Sequence, residues 1–116
     1  MALDIVKKND WYYVPAPGRL DAFNFELSKD RLEKLAKTTN QIAIDVSSAH
    51  FVSIPMIKLI HSLASELARK GGRLALVGTT EKLKRQIHIF ASLDPFTFYS
   101  QDGWEKLVNT TLEGRA

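Results

Sequence analysis

Short apolar segments that alternate with longer stretches of helical periodicity constrain this fold most strongly. Residues 41–46 and 73–78 are each a short, almost continuous apolar run, and the stretch between them repeats apolar side chains at helical spacing. A run of this length and composition is typical of a buried strand rather than of a helix. Buried strands that alternate with helices predict a largely parallel sheet covered by those helices.

The remaining segments continue the same alternation. Residues 8–10 form a polar turn between two β-prone runs, which predicts an antiparallel hairpin at the start. The predicted strands are 3–8, 11–14, 41–46, 73–78 and 96–99, and the predicted helices are 20–38, 53–70, 79–91 and 101–109. The polar residues 110–116 are predicted to be a frayed tail. The expected fold class is therefore α/β: a mixed, largely parallel sheet with an N-terminal hairpin, packed against about four helices.

Capping signals mark both ends of the long helix. Ser53 is a hydroxyl N-cap, Pro55 fits the first turn where its missing N–H costs nothing, and Gly71 follows the last turn. The start of the first helix has two alternative caps, Asp21 and Ser28, and Asp21 is also a candidate functional carboxylate.

Composition indicates an ordinary globular protein. A length of 116 residues, with 45% hydrophobic and 25% charged residues, predicts a single domain over 1–116. The chain has no cysteine, which excludes disulfides and thiolate chemistry. No run approaches the ~18 apolar residues of a membrane span, and the N-terminus does not resemble a signal peptide. We therefore expect a cytoplasmic protein with no membrane insertion.

The search for chemistry excludes the usual catalytic and ligand sites. No glycine-rich loop precedes a helix, and His50, His61 and His88 lack the spacing of metal ligands. Asp45 could be a buried catalytic acid, but we favour a carboxylate that ends a strand and accepts hydrogen bonds from residues 47–48. The basic groups at 69–73 and 82–85 lack interleaved aromatic residues for base stacking. The sequence therefore predicts no enzyme, metal, cofactor or nucleic-acid partner.

Several segments in the same order resemble a known family. They include Gly18-Arg19-Leu20-Asp21-Ala22, Asp45-Val46-Ser47 followed by Phe51–Val52, Gly71-Gly72-Arg73-Leu74-Ala75-Leu76-Val77-Gly78, Leu93-Asp94-Pro95-Phe96, and the closing helix at 101–107. Their order and spacing, over roughly residues 5–107, resemble the STAS domain family of anti-sigma-factor antagonists. The resemblance implies a bacterial signalling and transcription-regulation module that binds proteins.

The chain departs from that family where its members are phosphorylated. The family signature is an aspartate, two hydroxyl residues and a glycine at the start of the long helix, and the second hydroxyl receives the phosphoryl group. Counted from Asp45, these positions fall on Ser53, Ile54, Pro55 and Met56. Ile and Pro accept no phosphoryl group, so we expect no phosphorylation at the usual position. Ser53 would require a two-residue slip that the flanking match does not support.

The resemblance implies binding through the loop and N-terminus of the long helix, residues 53–65. The implied contact residues, none of them catalytic, are Asp21, Ser53, Ile54, Pro55, Lys58, His61 and Ser62. Met56 is expected to point inward, whereas Ile54 and Pro55 either pack inward or form an exposed apolar contact. The expected partner is a regulator such as an anti-sigma-factor kinase, and homodimer formation stays open. The alternative is an accessory subunit that binds the ATPase of a bacterial phospholipid-transport ABC complex.

Overall fold

A computed structural model describes residues 5–8, 10–16, 19–20, 25–49 and 51–115. The strands are β1 (Val6–Lys8), β2 (Trp11–Pro15), β3 (Arg19–Leu20), β4 (Gln41–Asp45), β5 (Phe51–Val52), β6 (Arg73–Val77) and β7 (Phe96–Tyr99). The helices are α1 (Phe25–Thr38), α2 (Ile54–Arg69), α3 (Glu81–Phe90) and α4 (Gln101–Arg115). The predicted α/β class is confirmed.

Five of the strands form one mixed sheet in the order β1-β2-β4-β6-β7. Strand β1 pairs antiparallel with β2, and this is the predicted hairpin, while the other neighbours pair in parallel. Strands β3 and β5, two residues each, form a separate parallel pair that the sequence analysis did not predict. This pair lies directly before the site, because β5 leads through Ser53 into α2.

An aliphatic core lies between one face of the sheet and helices α1, α2 and α3. Ile42 and Ile44 of β4, and Leu74 and Leu76 of β6, alternate along their strands and are almost completely buried there. They contact buried residues of the three helices, namely Leu32, Leu35, Ile57, Ile60, Leu63, Leu67, Leu83 and Ile87. This continuous apolar layer fixes which faces of α2 and α3 point outward.

The opposite face of the sheet is built around aromatic side chains and α4. Ala43 and Ala75 are small, and two indoles pack over this face: Trp11 and Trp104, whose ring centroids lie 5.2 Å apart, edge to face. The Tyr13 ring stacks on Trp104 at 5.8 Å. The single helix α4 therefore covers this face with few but large contacts.

The ends of α2 follow the predicted capping chemistry. Ser53 Oγ accepts a hydrogen bond from the N–H of Met56 at 3.3 Å, and Pro55 lies in the first turn. Gly71 has a φ of +82°, which favours glycine, and the N–H of Gly72 donates to the Leu67 carbonyl at 2.8 Å. Both predicted caps are confirmed.

Two predicted helix bounds differ from the structure. The sequence leaves the start of the first helix open between two caps; helix α1 begins at Phe25, because Leu20 pairs in β3, and Ser28 lies inside the helix and cannot be its N-cap. Helix α4 continues to Arg115, beyond its predicted end at residue 109, while fraying of residues 110–116 stays a prediction. Extending an existing helix avoids the cost of nucleation, so a polar segment without proline is able to continue it. Asp21, the other predicted cap, lies outside the described residues.

Candidate functional site

The carboxyl end of β4 carries a closed polar network around Asp45. Its Oδ1 accepts hydrogen bonds from the Ser47 N–H at 2.9 Å and from the Ser47 hydroxyl at 2.6 Å, and its Oδ2 accepts one from the Tyr13 hydroxyl. Gln101 Nε2 donates to Ser47 Oγ at 2.9 Å and so connects the start of α4 to the same network. Asp45 is 8% exposed. The prediction that Asp45 ends a strand and accepts hydrogen bonds from the following loop is confirmed, and the donor in that loop is Ser47.

The charges of this network are set by its own hydrogen bonds. Burial alone would raise the pKa of Asp45, but the hydrogen bonds from Ser47 and Tyr13 outweigh it and hold that pKa below its ordinary value. Burial, together with the hydrogen bond to Asp45, raises the pKa of Tyr13 above its ordinary range. Asp45 is therefore ionised and Tyr13 neutral near pH 7, and neither group is poised to exchange a proton there.

A close approach of two loops locks the network in place. Gly78, which follows β6, has a φ of +72°, and a Cβ at that position would lie 2.7 Å from Ser47 Cβ. The N–H of Gly78 donates to the Tyr99 carbonyl at 2.9 Å. Only glycine therefore fits between Ser47 and the end of β6 without displacing backbone. The Asp45 network is a structural support beside the candidate site.

The start of α2 has the opposite character, because its apolar side chains point outward. Ile54 is 42% exposed and Pro55 is exposed, whereas Met56 is 1% exposed, as predicted. The inward-packing alternative is thus wrong for Ile54 and Pro55. The first turn contains no acidic residue, so Ile54 stands at a helix N-terminus with an unscreened positive potential.

The other predicted contact residues extend from this start along α2. Lys58 and Ser62 are exposed, one helical turn apart. His61 is half-buried, and its ring packs edge-on against Phe96 with centroids 6.0 Å apart. The structure thus places Lys58 and Ser62 together on the outer surface and turns His61 toward β7. For Asp21 the contact role stays a prediction.

Sequence reasoning missed the contribution of α3 to this region. Gln86 Nε2 donates to the Val52 carbonyl at 3.1 Å and ties α3 to the last residue before the Ser53 cap. Lys82 and Gln86 also line a shallow depression with Ala49, in the loop between β4 and β5. The two partners of the Gln86 bond are separated by 34 positions, so no local pattern could have revealed it.

The interior beneath the site does not accommodate a ligand. An apolar cavity of about 20 Å³ lies between the sheet and α2, lined by residues such as Val52 and Met56. This volume holds about one water molecule, far below the size of a small-molecule pocket. Among the residues that the structure describes, no three histidine or acidic side chains cluster as metal ligands would.

The helix N-termini at the carboxyl edge of the sheet are also occupied by their own side chains. Thr80 Oγ1 accepts from the Leu83 N–H at 3.1 Å, and Ser100 Oγ accepts from the Gly103 N–H at 2.9 Å. Acidic residues stand in the first turns of α3 and α4. These carboxylates already meet the positive potential of the two helix ends, which therefore favour no anionic ligand.

Comparison with protein families identifies this arrangement. The family model of the STAS domain matches residues 2–103. The chain belongs to the STAS domain family. The family resemblance carried by the sequence segments is thereby confirmed. None of the described helices of this STAS domain is both long and apolar enough to cross a membrane.

Solved structures share the fold at low sequence identity. A STAS domain protein from Planctomyces limnophilus superposes with a TM-score of 0.77 and 15% identity, covering 92% of this chain and 97% of the other. A putative anti-sigma factor antagonist from Thermotoga maritima has a TM-score of 0.75 and 21% identity, with coverages of 92% and 94%. An anti-sigma factor antagonist from Mycobacterium paratuberculosis has a TM-score of 0.75 and 17% identity, with coverages of 93% and 93%. No curated protein sequence gives a significant match.

Proposed function

We propose that this STAS domain is a non-enzymatic protein-recognition module of the anti-sigma-factor-antagonist type. It binds a regulatory partner through the start of α2 and is not switched by phosphorylation at the usual family position. The observation that carries the proposal is the exposure of Ile54 and Pro55 on a helix start whose backbone is already capped by Ser53. A rigid, exposed apolar contact loses little conformational entropy when a partner covers it.

The loss of the switch follows from side-chain chemistry. The two positions that align with the family hydroxyls are Ile54 and Pro55, which have no oxygen to receive a phosphoryl group. The nearest hydroxyl, Ser53 Oγ, already accepts the Met56 N–H at 3.3 Å and caps the helix. The proposed module is therefore constitutive, and its partner contacts the same apolar surface whether or not a kinase is active.

The expected interface combines this apolar contact with cationic and polar residues on the same helix. Ile54 and Pro55 form the contact that excludes water, while Lys58 and Ser62 lie further along the exposed surface. Exposed charges at the rim of an interface set the rate and specificity of association more than the affinity. We therefore expect Ile54 to dominate affinity and Lys58 to select the partner.

The test is a pull-down with the wild-type chain and an Ile54→Asp/Lys58→Glu variant, both positions exposed, followed by mass spectrometry. A Lys37→Glu/Lys106→Glu variant changes the same number of side chains on exposed positions of α1 and α4. We expect a regulator of the anti-sigma-factor-kinase class, recovered with the wild type and the control and lost with the α2 variant. Equal recovery with both variants would move the interface away from α2.

The identity of the recovered partner decides between the two proposed partner classes, and its kinase activity tests whether the chain is phosphorylated. Recovery of a transporter ATPase instead would select the accessory-subunit alternative, which uses the same helix. Incubation of the chain with the recovered kinase and ATP should leave its intact mass unchanged. A phosphopeptide covering residues 51–58 would contradict constitutive binding and direct attention to Ser53.

A further inference from the structure

Helix α3 exposes apolar side chains that the fold does not use. Its contact with the core rests on Leu83 and Ile87, which are almost completely buried. At its last turn, Ile89 is 73% exposed and Phe90 is 42% exposed, and Ile89 is the most exposed large hydrophobic residue in the described part of the chain. Single exposed apolar side chains are ordinary on a protein surface, whereas neighbouring ones such as these form an apolar patch, the kind of feature that interaction sites use.

The same helix has a net positive charge. It contains Lys82, Lys84 and Arg85 and one acidic residue, Glu81 in its first turn, so its formal charge is +2. Lys84 turns toward the sheet edge, where its Nζ lies 4.5 Å from the centroid of the Phe98 ring. Lys82 and Arg85 are exposed, so they give the outward surface around Ile89 its cationic character.

We propose that the exposed face of α3 is a second protein-docking surface, which binds a partner segment that carries carboxylates around an apolar anchor. The surface consists of Lys82, Arg85, Ile89 and Phe90. It extends the protein-recognition function proposed above, but it uses none of the α2 contact residues. Its success or failure is therefore independent of the α2 surface.

Charge complementarity selects this occupant over the others. A second copy of the chain, related by a two-fold axis, would bring two identical cationic surfaces face to face, which costs free energy. A nucleic-acid duplex would satisfy Lys82 and Arg85 with phosphates but offer no apolar counterpart to the aliphatic side chain of Ile89. An acidic amphipathic segment satisfies both the charges and the apolar residues at once.

The position of α3 links this surface to the start of α2. Gln86 donates to the Val52 carbonyl, one residue before the Ser53 cap. Lys82 and Gln86 share their shallow depression with Ala49, in the loop that leads to α2. The surface on α3 is thus connected to the segment that leads into α2 through Gln86 and Lys82.

The experiment uses a synthetic amphipathic peptide with leucines on one helical face and glutamates on the other. A matched peptide replaces every glutamate by glutamine. Affinities are measured by fluorescence anisotropy at low salt, and the binding surface is mapped by chemical-shift changes of the isotope-labelled full chain. We expect the glutamate peptide to bind about tenfold more tightly than the glutamine peptide, with the largest shifts at residues 82–90.

Matched variants separate this surface from a general effect of charge or hydrophobicity. We expect Arg85→Glu and Ile89→Ser each to weaken binding of the glutamate peptide about tenfold. Lys106→Glu on α4 and Val6→Ser on β1 change exposed residues elsewhere and should stay within about twofold. Circular dichroism of each variant checks that it is folded.

Three outcomes would overturn the proposal. One is equal affinity for the two peptides, and another is an equal loss for Arg85→Glu and Lys106→Glu. The third is binding of phosphatidylglycerol vesicles that depends on Ile89 while the glutamate peptide does not bind, which would make α3 a lipid-surface contact.

Discussion

The polypeptide between β4 and α2 begins and ends in opposite ways. At its beginning, the polar side chains of Asp45 and Ser47 turn inward and hydrogen-bond to each other and to Tyr13. At its end, the apolar side chains of Ile54 and Pro55 turn outward into solvent. The residues that look chemically active are structural, and the residues that look like core are the ones available to a partner.

This inversion follows from what each end must satisfy. The Asp45 carboxylate is buried, and the hydrogen-bond donors around it offset the cost of burying its charge, so removing a partner leaves a buried polar group less well satisfied. The side chain of Ile54 needs no hydrogen-bond partner and fills no core position, since Met56 packs into the core and Ser53 caps the helix. The energetic cost of change is therefore high at the first end and low at the second.

The largest expected effect comes from Asp45→Ala. The substitution removes the acceptor of the Tyr13 hydroxyl and of the Ser47 N–H, so we expect the free energy of unfolding to fall by about 3 kcal/mol. Urea denaturation measures it. Asp94→Ala removes an exposed carboxylate from the loop between α3 and β7 and should change stability by less than about 0.5 kcal/mol. Equal effects of the two substitutions would mean that the network contributes nothing.

A smaller loss in the free energy of unfolding is expected when low pH protonates the Asp45 carboxylate of the unchanged chain. The pKa of Asp45 is lowered in the folded chain, so its stabilising contribution is complete above the ordinary value of 3.8 and is lost as the pH falls below it. Unfolding free energies of the wild type and Asp45→Asn, measured across this range, should converge as the pH falls. A constant difference between the two curves would contradict the lowered pKa.

Stability at high pH provides an independent check on the hydrogen bond between Tyr13 and Asp45. The pKa of Tyr13 is raised, so its contribution is complete below the ordinary value of 10.0 and is lost as the pH rises above it. We expect wild type and Tyr13→Phe to converge in stability under alkaline conditions, as followed by circular dichroism. A constant difference between the two proteins across this range would contradict the raised pKa of Tyr13.

A still smaller loss is expected at the helix cap. Ser53→Ala removes the acceptor of the Met56 N–H and should lower the free energy of unfolding by about 1 kcal/mol. Ser62→Ala changes the same residue type at an exposed position of the same helix and should have almost no effect. If both variants lose the same stability, Ser53 is not a cap of energetic consequence.

The sequence could predict the features that depend on local chemistry. Strands β4 and β6 have continuous apolar runs, residues 42–44 and 74–77, and the caps at Ser53 and Gly71 follow from residue type and position. Because these signals fix both ends of α2, helical periodicity alone is enough to put Lys58 and Ser62 on its outer face.

The features that escaped prediction depend on pairing between distant segments. Strands β3 and β5 are two residues long and have no periodicity to detect. The hydrogen bond from Tyr13 to Asp45 spans 32 positions, and the one from Gln86 to Val52 spans 34. The exposure of Ile54 could not be read from the sequence either, because an isoleucine beside a buried methionine fits the core equally well.

The smallest expected change in stability occurs at the start of α2. Ile54→Asp removes an exposed apolar side chain and places a carboxylate in the first turn of α2, where the helix dipole favours it. We expect the free energy of unfolding to stay within about 0.5 kcal/mol of the wild type or to rise slightly. A loss of more than about 1 kcal/mol would show that Ile54 serves the core after all.

The affinity of the recovered partner for Ile54→Asp tests the central claim most directly, measured beside Asp45→Asn under conditions where both are folded. We predict that Ile54→Asp weakens partner binding at least about tenfold, whereas Asp45→Asn leaves it within about twofold. Unchanged affinity for Ile54→Asp, or a comparable loss for folded Asp45→Asn, would contradict the assignment of recognition to the exposed start of α2.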